Sequence, residues 1–286
     1  MFGRRKDGRK IKTIDPIMRM TTHIMPTRND AMVNSLITLD CKDIDEFINK
    51  RLDEGQKYTY MDILLCALVR MYAERPGMNR FVMDGLIYAR NEISISFVVK
   101  KALKEGSDET TVKVKFKGTE SLKEVHDMVQ EIVLANKGDD ASNDTDSMAK
   151  WLNRIPNWLT KYVVKILKHW DRRGWLPNSI RELSPFHCSC FLTNNKSISC
   201  PFVFHHIYNF GTCGLFVGLG KEDIEPVVAD DGQTIRVGKV LKIGVTVDER
   251  ICDGLYNSKS IKLVKKYLKN PELLETPLVE VARDID

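Results

Sequence analysis

Residues 60–74, YMDILLCALVRMYAE, are the most restrictive feature of the sequence because they are apolar on nearly every side. Their spacing predicts a helix, and Pro76-Gly77 marks its end because proline and glycine interrupt helices. A helix without a broad polar face is stable only when other elements cover it. The chain must therefore build a layered fold around this helix, and 286 residues with 43% hydrophobic content suffice for such a core.

Strands and further helices occur on both sides of this helix. Alternating polar and apolar residues predict strands at 93–99, 112–118, 188–198 and 212–219, two short strands around Asp84-Gly85, and, after a turn at 226–232, a hairpin of two strands over 233–247. Helical spacing predicts helices that open near Asp43 and that cover 122–135 and 255–269, the last ending at Asn270-Pro271. We therefore expect an α/β fold, a single domain over 1–286 in which a mixed β-sheet with flanking helices forms a two-layer sandwich.

The composition argues against several classes of protein. The net charge is only +5 and acidic residues are interleaved nearly everywhere, which disfavours a dedicated nucleic-acid binder. No run of about 18 apolar residues occurs, so no membrane-spanning helix is expected. The basic start MFGRRKDGRK lacks the apolar stretch of a secretory signal, and seven cysteines, an odd number, favour reduced thiols. These features predict a cytoplasmic protein.

A tryptophan-rich segment follows the most polar stretch of the chain. Residues 137–147, KGDDASNDTDS, are small, polar and acidic, and they predict a loop. In residues 148–172, apolar side chains recur at spacings of three and four with basic residues between them, which predicts an amphipathic helix. We interpret 137–180 as an insertion made of this loop and helix. The helix either docks on its own domain or a neighbouring subunit, or it contacts a protein partner or a membrane surface.

Residues 244–254, GVTVDERICDG, place a cluster of ionisable side chains where an alternating strand ends. The segment resembles the catalytic domain of the dihydrolipoyl acyltransferases of 2-oxo acid dehydrogenase complexes, and chloramphenicol acetyltransferase, in which a strand leads into His-x-x-x-Asp-Gly. The acyltransferases commonly have Asp-His-Arg-x-x-Asp-Gly, and this chain has Asp-Glu-Arg-Ile-Cys-Asp-Gly at 248–254. Glu249 therefore occupies the histidine position.

Further segments are similar to the same family. CFLTNN (190–195) resembles the strand whose hydroxyl steadies the tetrahedral intermediate, with Thr193 at the hydroxyl position and Asn194 beside it. GLFVGLGKEDIEPVV (214–228) and KNPELL (269–274) also resemble family phrases. The resemblance covers most of 185–275 and rests on pattern alone for 10–135. It implies a chloramphenicol acetyltransferase-like fold in a free-standing relative of the catalytic domain, without a lipoyl or peripheral-subunit-binding domain.

The resemblance implies a coenzyme A-dependent acyltransferase. In the family the histidine takes the proton of a thiol, from coenzyme A or dihydrolipoamide, as the sulfur attacks an acyl carbonyl. A free glutamate is about four pKa units too weak a base for a thiol, so the proton transfer is uphill by about 6 kcal/mol. Three alternatives stay open: a pseudoenzyme that keeps a ligand pocket or serves as a scaffold, an impaired or altered acyltransferase with Glu249 as the base, and an enzyme in which another residue, such as His205 or His206, is the base.

The predicted site residues follow from this alignment. The candidate catalytic residues are Glu249, Thr193 and Asp253, and the candidate substrate-binding residues are Asn194, Arg250 and His206. By the resemblance, Asp253 is mainly structural and pairs with an arginine near the start of the chain, for which Arg19 is the candidate. The family also implies a homotrimer with each active site between subunits, so that Glu249 of one copy faces Thr193 of the next across a channel for coenzyme A. An acyl thioester or thiol is then the small-molecule partner.

Metal-ligand residue types cluster at HCSC (187–190). On an extended strand Cys188 and Cys190 share one face and His187 lies on the other, so the three side chains cannot converge on a zinc ion without a bulge. We predict no metal site and interpret both cysteines as buried packing residues. The same interpretation applies to Cys252.

Overall fold

The computed structural model describes residues 4–100, 109–136, 154–229 and 231–286. The α-helices in these ranges are α1 (Pro16–Ile24), α2 (Lys42–Asp53), α3 (Tyr60–Glu74), α4 (Leu122–Ala135), α5 (Asn157–Arg173), α6 (Asn178–Leu183) and α7 (Gly254–Lys269). The strands are β1 (Gly8–Lys10), β2 (Met32–Asp40), β3 (Arg80–Met83), β4 (Leu86–Arg90), β5 (Ile93–Lys100), β6 (Glu109–Phe116), β7 (Cys190–Asn194), β8 (Leu215–Leu219), β9 (Asp223–Val228) and β10 (Ile235–Asp248). None of the helices in these ranges is both long and apolar enough to cross a bilayer.

One seven-stranded sheet forms the centre of the molecule. Its strand order is β2-β10-β8-β7-β5-β6, and β9 pairs with the first half of β10. The pairs β5–β7 and β7–β8 are parallel and the others are antiparallel, so the sheet is mixed as predicted. Residues of α2, α3, α4 and α7 pack with one face of the sheet in a single hydrophobic core. A smaller sheet, β1-β4-β3, lies beside it. The predicted two-layer α/β architecture is confirmed.

Helix α3 is the central element of the core. Thr59 and Asp62 form a capping box at its start, in which each side chain accepts a hydrogen bond that the first turn cannot supply itself. All residues from Asp62 to Ala73 are buried, as the absence of a polar face predicts. The Tyr72 hydroxyl donates to the Ser189 carbonyl at 3.0 Å, which ties the helix to the sheet.

The predicted hairpin over 233–247 is wrong, because residues 235–247 belong to the single long strand β10. Its first half pairs with β9 and its second half lies between β2 and β8. Pro226, predicted to lie in a turn, is in β9. Gly244 lies inside this strand because of a close contact: a Cβ there would lie 2.4 Å from the Val203 carbonyl oxygen, so only glycine admits the segment that crosses the strand.

The strand predicted over 188–198 is shorter in the structure. β7 ends at Asn194, and a turn of 3₁₀ helix, Asn195–Ile198, follows it. The Asn194 side chain accepts a hydrogen bond from the Ser197 amide at 3.3 Å and so begins this turn. Local capping by an asparagine therefore ends the strand earlier than its alternating pattern suggests.

Helix α5 contains most of the predicted amphipathic helix, whereas the loop at 137–147 and residues 148–153, including Trp151, lie outside the described residues. Its inner side consists of Thr160, Val163 and Leu167, which are partly buried, and Asp171, which is buried. Asp171 accepts from Arg5 at 2.8 Å and contacts His187 Nε2 at 3.1 Å. The helix is thus anchored by its last turn and exposes most of its surface.

Candidate active site

The strand end at Asp248 is held by a buried ion pair. Arg250 Nε donates to Asp248 Oδ1 at 2.8 Å, and Arg250 Nη2 donates to Asp248 Oδ2 at 2.7 Å. Arg250 Nη1 donates to the Met25 carbonyl at 2.8 Å. The predicted substrate-binding residue Arg250 is therefore buried and engaged on both sides of its guanidinium by the protein itself.

Glu249 points in a different direction from its two neighbours. Its backbone amide donates to the Ala31 carbonyl at 2.9 Å, while its side chain is exposed. The side chain lines a cleft of about 340 Å³ between the strand end and α1, whose wall includes Thr21, Met25 and Asp253. In the single chain the Glu249 carboxylate is accessible to solvent in this cleft.

Asp253 begins the last helix. Its Oδ1 accepts from the Tyr256 amide at 2.8 Å, the arrangement of an N-cap, and the side chain is otherwise exposed. The expected partner Arg19 instead donates to the Lys12 carbonyl at 3.1 Å. The arginine from the start of the chain that approaches the motif is Arg28, whose Nε lies 4.0 Å from Asp248. The structure thus places the arginine beside the first aspartate of the motif rather than the second.

Thr193 and His205 form a second group of polar side chains. Thr193 Oγ1 lies 3.1 Å from His205 Nε2, and the His205 ring stacks on Phe216 with centroids 4.4 Å apart. Burial lowers the pKa of His205 below 6.5, and the adjacent His206 lowers it further. His206 is exposed and contacts Tyr208 edge-on at 5.1 Å, so the two histidines point in different directions.

Glu249 and Thr193 are not neighbours within one chain. In the sheet register Thr193 is opposite Gly218, and Gly218 is opposite Gly244. Glu249 follows Gly244 by five residues, which at roughly 3.3 Å per residue is about 16 Å along the strand. Thr193 and the adjacent Asn194 line a second cleft, separate from the one beside Glu249. The six predicted site residues therefore form two separate groups along the strand direction of the sheet. One group contains Thr193, Asn194 and His206, and the other contains Glu249, Arg250 and Asp253.

The side chains of the HCSC segment are buried and contact other residues of the described chain. His187 Nδ1 contacts Ser184 Oγ at 2.8 Å, and its Nε2 contacts Asp171. Cys188 and Cys190 are fully buried, and Cys252 is buried with its sulfur 3.6 Å from Met78 Sδ. The packing role predicted for these cysteines agrees with their burial.

The chain resembles known proteins in part of its sequence and in its fold. Residues 210–276 match the sequence family of 2-oxoacid dehydrogenases acyltransferase (catalytic domain). The fold is similar to a probable dihydrolipoamide acetyltransferase from Listeria monocytogenes 4b F2365, with a TM-score of 0.57 and 16% identity over 92% of this chain and 95% of that chain. It is also similar to the cubic core of the pyruvate dehydrogenase multienzyme complex (TM-score 0.57, 14% identity, 93% and 94% covered) and to chloramphenicol acetyltransferase (TM-score 0.56, 13% identity, 91% and 99% covered). No curated protein matches the chain in sequence.

These matches define the fold of the chain. The chain has the fold of the chloramphenicol acetyltransferase-like catalytic cores over about nine-tenths of its length. The resemblance to the 2-oxoacid dehydrogenase acyltransferase catalytic domain is confirmed by the family match, which includes the strand end with Glu249 and the final helix α7.

Proposed function

We propose that this protein is a coenzyme A-dependent acyl-transfer protein in which Glu249 replaces the histidine base of its relatives. The observation that carries the proposal is the difference in side-chain position among residues 248–254. Asp248 and Arg250 hold the strand end and Asp253 caps α7, whereas the side chain of Glu249 lines the cleft without a hydrogen bond to the described residues. The fold and the motif are thus retained around one changed side chain. The substrate is an acyl thioester or a thiol, with coenzyme A as the carrier.

The proposed consequence is that thiol deprotonation by residue 249 is impaired. The exchange places a carboxylate where the relatives have an imidazole, and a carboxylate is a weaker base towards a thiol. Its negative charge also opposes the thiolate that forms during attack. Coenzyme A binding, which depends on the channel rather than on the base, is expected to survive the substitution. The residual chemistry is therefore altered rather than identical to that of the relatives.

We also propose that the complete site forms between copies in a homotrimer. The separation of Glu249 and Thr193 along the sheet supports this, because a second copy is needed to bring the two groups together. One protein of similar fold is the core of a multienzyme complex. All seven cysteines are free, which supports the proposed cytoplasmic location.

The test combines binding with a swap at residue 249. Coenzyme A is expected to raise the melting temperature of the wild-type protein, and Glu249→His is expected to bind equally and to transfer acetyl groups from acetyl-coenzyme A to a thiol faster than wild type by at least tenfold. Glu249→Gln is the matched control, since it removes the charge without supplying a base. If Glu249→Gln abolishes transfer, the glutamate is itself the base. Absence of any coenzyme A effect on melting would refute the proposal.

A second candidate function is docking on an anionic membrane surface through α5. A stripe of exposed apolar side chains runs along the helix beside a stripe of exposed basic ones; they are Leu159, Tyr162, Ile166 and Trp170, and Lys161, Lys165, Lys168 and Arg172. The inner side of the helix already packs on the body, so this second apolar stripe is not needed for folding. Apolar and cationic stripes side by side complement the acyl region and the charge of acidic lipids.

Vesicle sedimentation tests this candidate. Wild-type protein is expected to sediment with vesicles of phosphatidylcholine and phosphatidylserine but not with phosphatidylcholine alone. Trp158, which is 65% exposed, contacts Tyr162 of the stripe edge-on at 6.5 Å, and Trp158→Glu is expected to abolish sedimentation. Leu134→Glu on α4, at a residue 67% exposed, is the matched control and leaves sedimentation unchanged. A change in oligomeric state with Trp158→Glu, without any vesicle binding by wild type, would instead assign the stripe to a neighbouring subunit.

A further inference from the structure

We propose that Thr193 and His205 form a nucleophile–base pair that accepts an acyl group as an ester on Thr193, with Asn195 donating to the oxyanion. The proposal rests on the proposed function for its substrate class, an acyl thioester. It assigns the chemistry to a place other than the Glu249 position. The central observation is the contact of 3.1 Å between Thr193 Oγ1 and His205 Nε2, which is within the reach required of a nucleophile and its base.

The backbone brings the two side chains together. His205 lies on an extended segment that crosses the outer face of the sheet, and this close approach is possible only over glycines. A Cβ on Gly218 would lie 2.7 Å from the Val203 carbonyl oxygen, and one on Gly244 would lie 2.4 Å from it. Gly218 is also the residue opposite Thr193 in the parallel pair β7–β8. The pair is therefore set by two neighbouring strands and the segment that packs on them.

The imidazole has the orientation and the charge state of a base. Stacking on Phe216 fixes the plane of the His205 ring, and burial together with His206 lowers its pKa. A neutral imidazole predominates at pH 7, so Nε2 is available to accept the hydroxyl proton of Thr193. For Nε2 to accept this proton, the neutral ring carries its own proton on Nδ1.

A hydrogen-bond donor without a partner lies next to the pair. Asn195 Nδ2 is buried and has no hydrogen-bond partner among the described residues, although buried polar atoms are normally paired. It lies 3.6 Å from the position of a Cβ on Gly218, and His205 Cδ2 lies at the same distance from that point. An unpaired amide at this place is suited to an oxyanion that exists only during reaction.

The adjoining cleft indicates the kind of acyl group. Thr193 and Asn195 line a cleft of about 420 Å³ whose wall continues over Phe97, Val99 and Val133. Phe97 and Val99 belong to the core on the helix side of the sheet, so an aliphatic chain in this cleft would reach Thr193 past the end of β7, and the cleft is large enough for a chain of medium length. We therefore assign an aliphatic acyl thioester of coenzyme A as the donor.

The reaction balances without a further reactant. Thr193 Oγ1 attacks the thioester carbonyl carbon while its proton passes to His205 Nε2, and the carbonyl oxygen becomes the oxyanion. The carbon–sulfur bond then breaks, and the leaving thiolate takes the proton from His205 and departs as the free thiol of coenzyme A. The acyl group remains as an ester on Thr193, from which an acceptor thiol or water removes it by the reverse sequence.

The experiment follows the acyl group by mass. The full-length protein is incubated with octanoyl-coenzyme A, the reaction is quenched in acid, and the mass of the intact protein is measured by mass spectrometry. Release of the coenzyme A thiol is measured in parallel. Wild type is expected to gain one octanoyl group, Thr193→Ser to retain labelling, and Thr193→Val to lose it. His205→Gln is expected to slow labelling at least a hundredfold and to remove its rise with pH near neutrality. His23→Gln, on the exposed part of α1, is the matched control and leaves labelling unchanged.

The outcomes separate this inference from the proposed function. Labelling that persists in Thr193→Val, or that proceeds equally in His205→Gln, overturns the assignment of the pair. Wild-type protein that is stabilised by coenzyme A but never labelled overturns the pair and leaves the proposed function intact. Labelling by octanoyl-coenzyme A without a melting shift from free coenzyme A supports the pair and refutes only the proposed binding of free coenzyme A. Thr193→Ser guards against misfolding, because it keeps the hydroxyl and removes only a methyl group.

Discussion

Replacement of Asp248 by alanine tests whether the strand end is held by the buried ion pair. Asp248 and Arg250 are 0% and 2% exposed, and the carboxylate accepts from Arg250 Nε and Nη2 and from the Arg250 amide at 2.8, 2.7 and 3.2 Å. Burial lowers the pKa of Arg28, and the Asp248 charge is the main influence that opposes this. The aspartate therefore compensates one buried guanidinium directly and a second at 4.0 Å.

The magnitude follows from what the substitution leaves behind. Two charge-assisted hydrogen bonds contribute about 1.5–3 kcal/mol each, and breaking a buried pair on one side typically costs about 3–5 kcal/mol because the other charge stays buried. We expect Asp248→Ala to lower the free energy of unfolding by about 4 kcal/mol, a large share of the usual 5–15 kcal/mol. Urea unfolding followed by circular dichroism measures this. Lys123→Ala, which removes an exposed ion pair with Asp127, is the control and leaves the urea midpoint unchanged. A loss below about 1 kcal/mol for Asp248→Ala would show that the pair does not hold the strand end.

Two further predictions concern packing and pH. Gly244→Ala is expected to lower the free energy of unfolding by about 1–3 kcal/mol, and with it the melting temperature, because the new Cβ would contact the Val203 carbonyl. A Cβ at Gly254 would have no atom within 4 Å, so Gly254→Ala is the control and is expected to melt like wild type. Equal melting temperatures for the two variants would contradict the close approach at Gly244. Burial lowers the pKa of His187 more than Asp171 raises it, so its stabilising contribution is complete above about pH 6.5 and is lost as the pH falls below that value. Burial alone would raise the pKa of Asp171, but His187 and Arg5 lower it to about 2, so a second loss is expected as the pH falls from about 4 towards 2. In urea unfolding from pH 7 to 5, His187→Gln is expected to show a flatter decline than wild type, and an unchanged slope would refute the assignment.

Several elements could be predicted because their causes are local. The bounds of α3 follow from its apolar run and from the Pro76-Gly77 stop, and those of α4 and α7 follow from helical spacing and caps. β10 could not, since its Gly244 admits a close contact with Val203, which is about 40 residues away in sequence and is not visible in the local pattern. Pattern alone does not distinguish a glycine that admits a neighbouring backbone from one that makes a turn.

In the candidate site too, some features follow from local sequence and others arise only from contacts made in the fold. The motif alignment predicts Glu249 and Thr193 as site residues, and the structure places each on the wall of a cleft. It did not identify the role of Arg250, because a charged residue in a motif gives no indication of whether its partner is a substrate or an aspartate two residues earlier. The contact of His205 with Thr193 joins residues 12 apart through the fold. The only sequence signal for it was the presence of two histidines close to the strand that carries the hydroxyl.

The unequal burial within 248–254 makes residue 249 a clean place to separate chemistry from folding. Asp248, Arg250 and Cys252 are buried, so substitutions there change the stability as well as any activity. The Glu249 side chain is exposed, and the described residues hold that position only through its backbone hydrogen bond to Ala31. An imidazole at 249 therefore leaves the core contacts and the cap of α7 as they are, and Glu249→His is expected to unfold at the same urea concentration as wild type. Any transferase activity gained by that variant then measures the contribution of a base at this position, because neither the fold nor the cleft has been altered to obtain it.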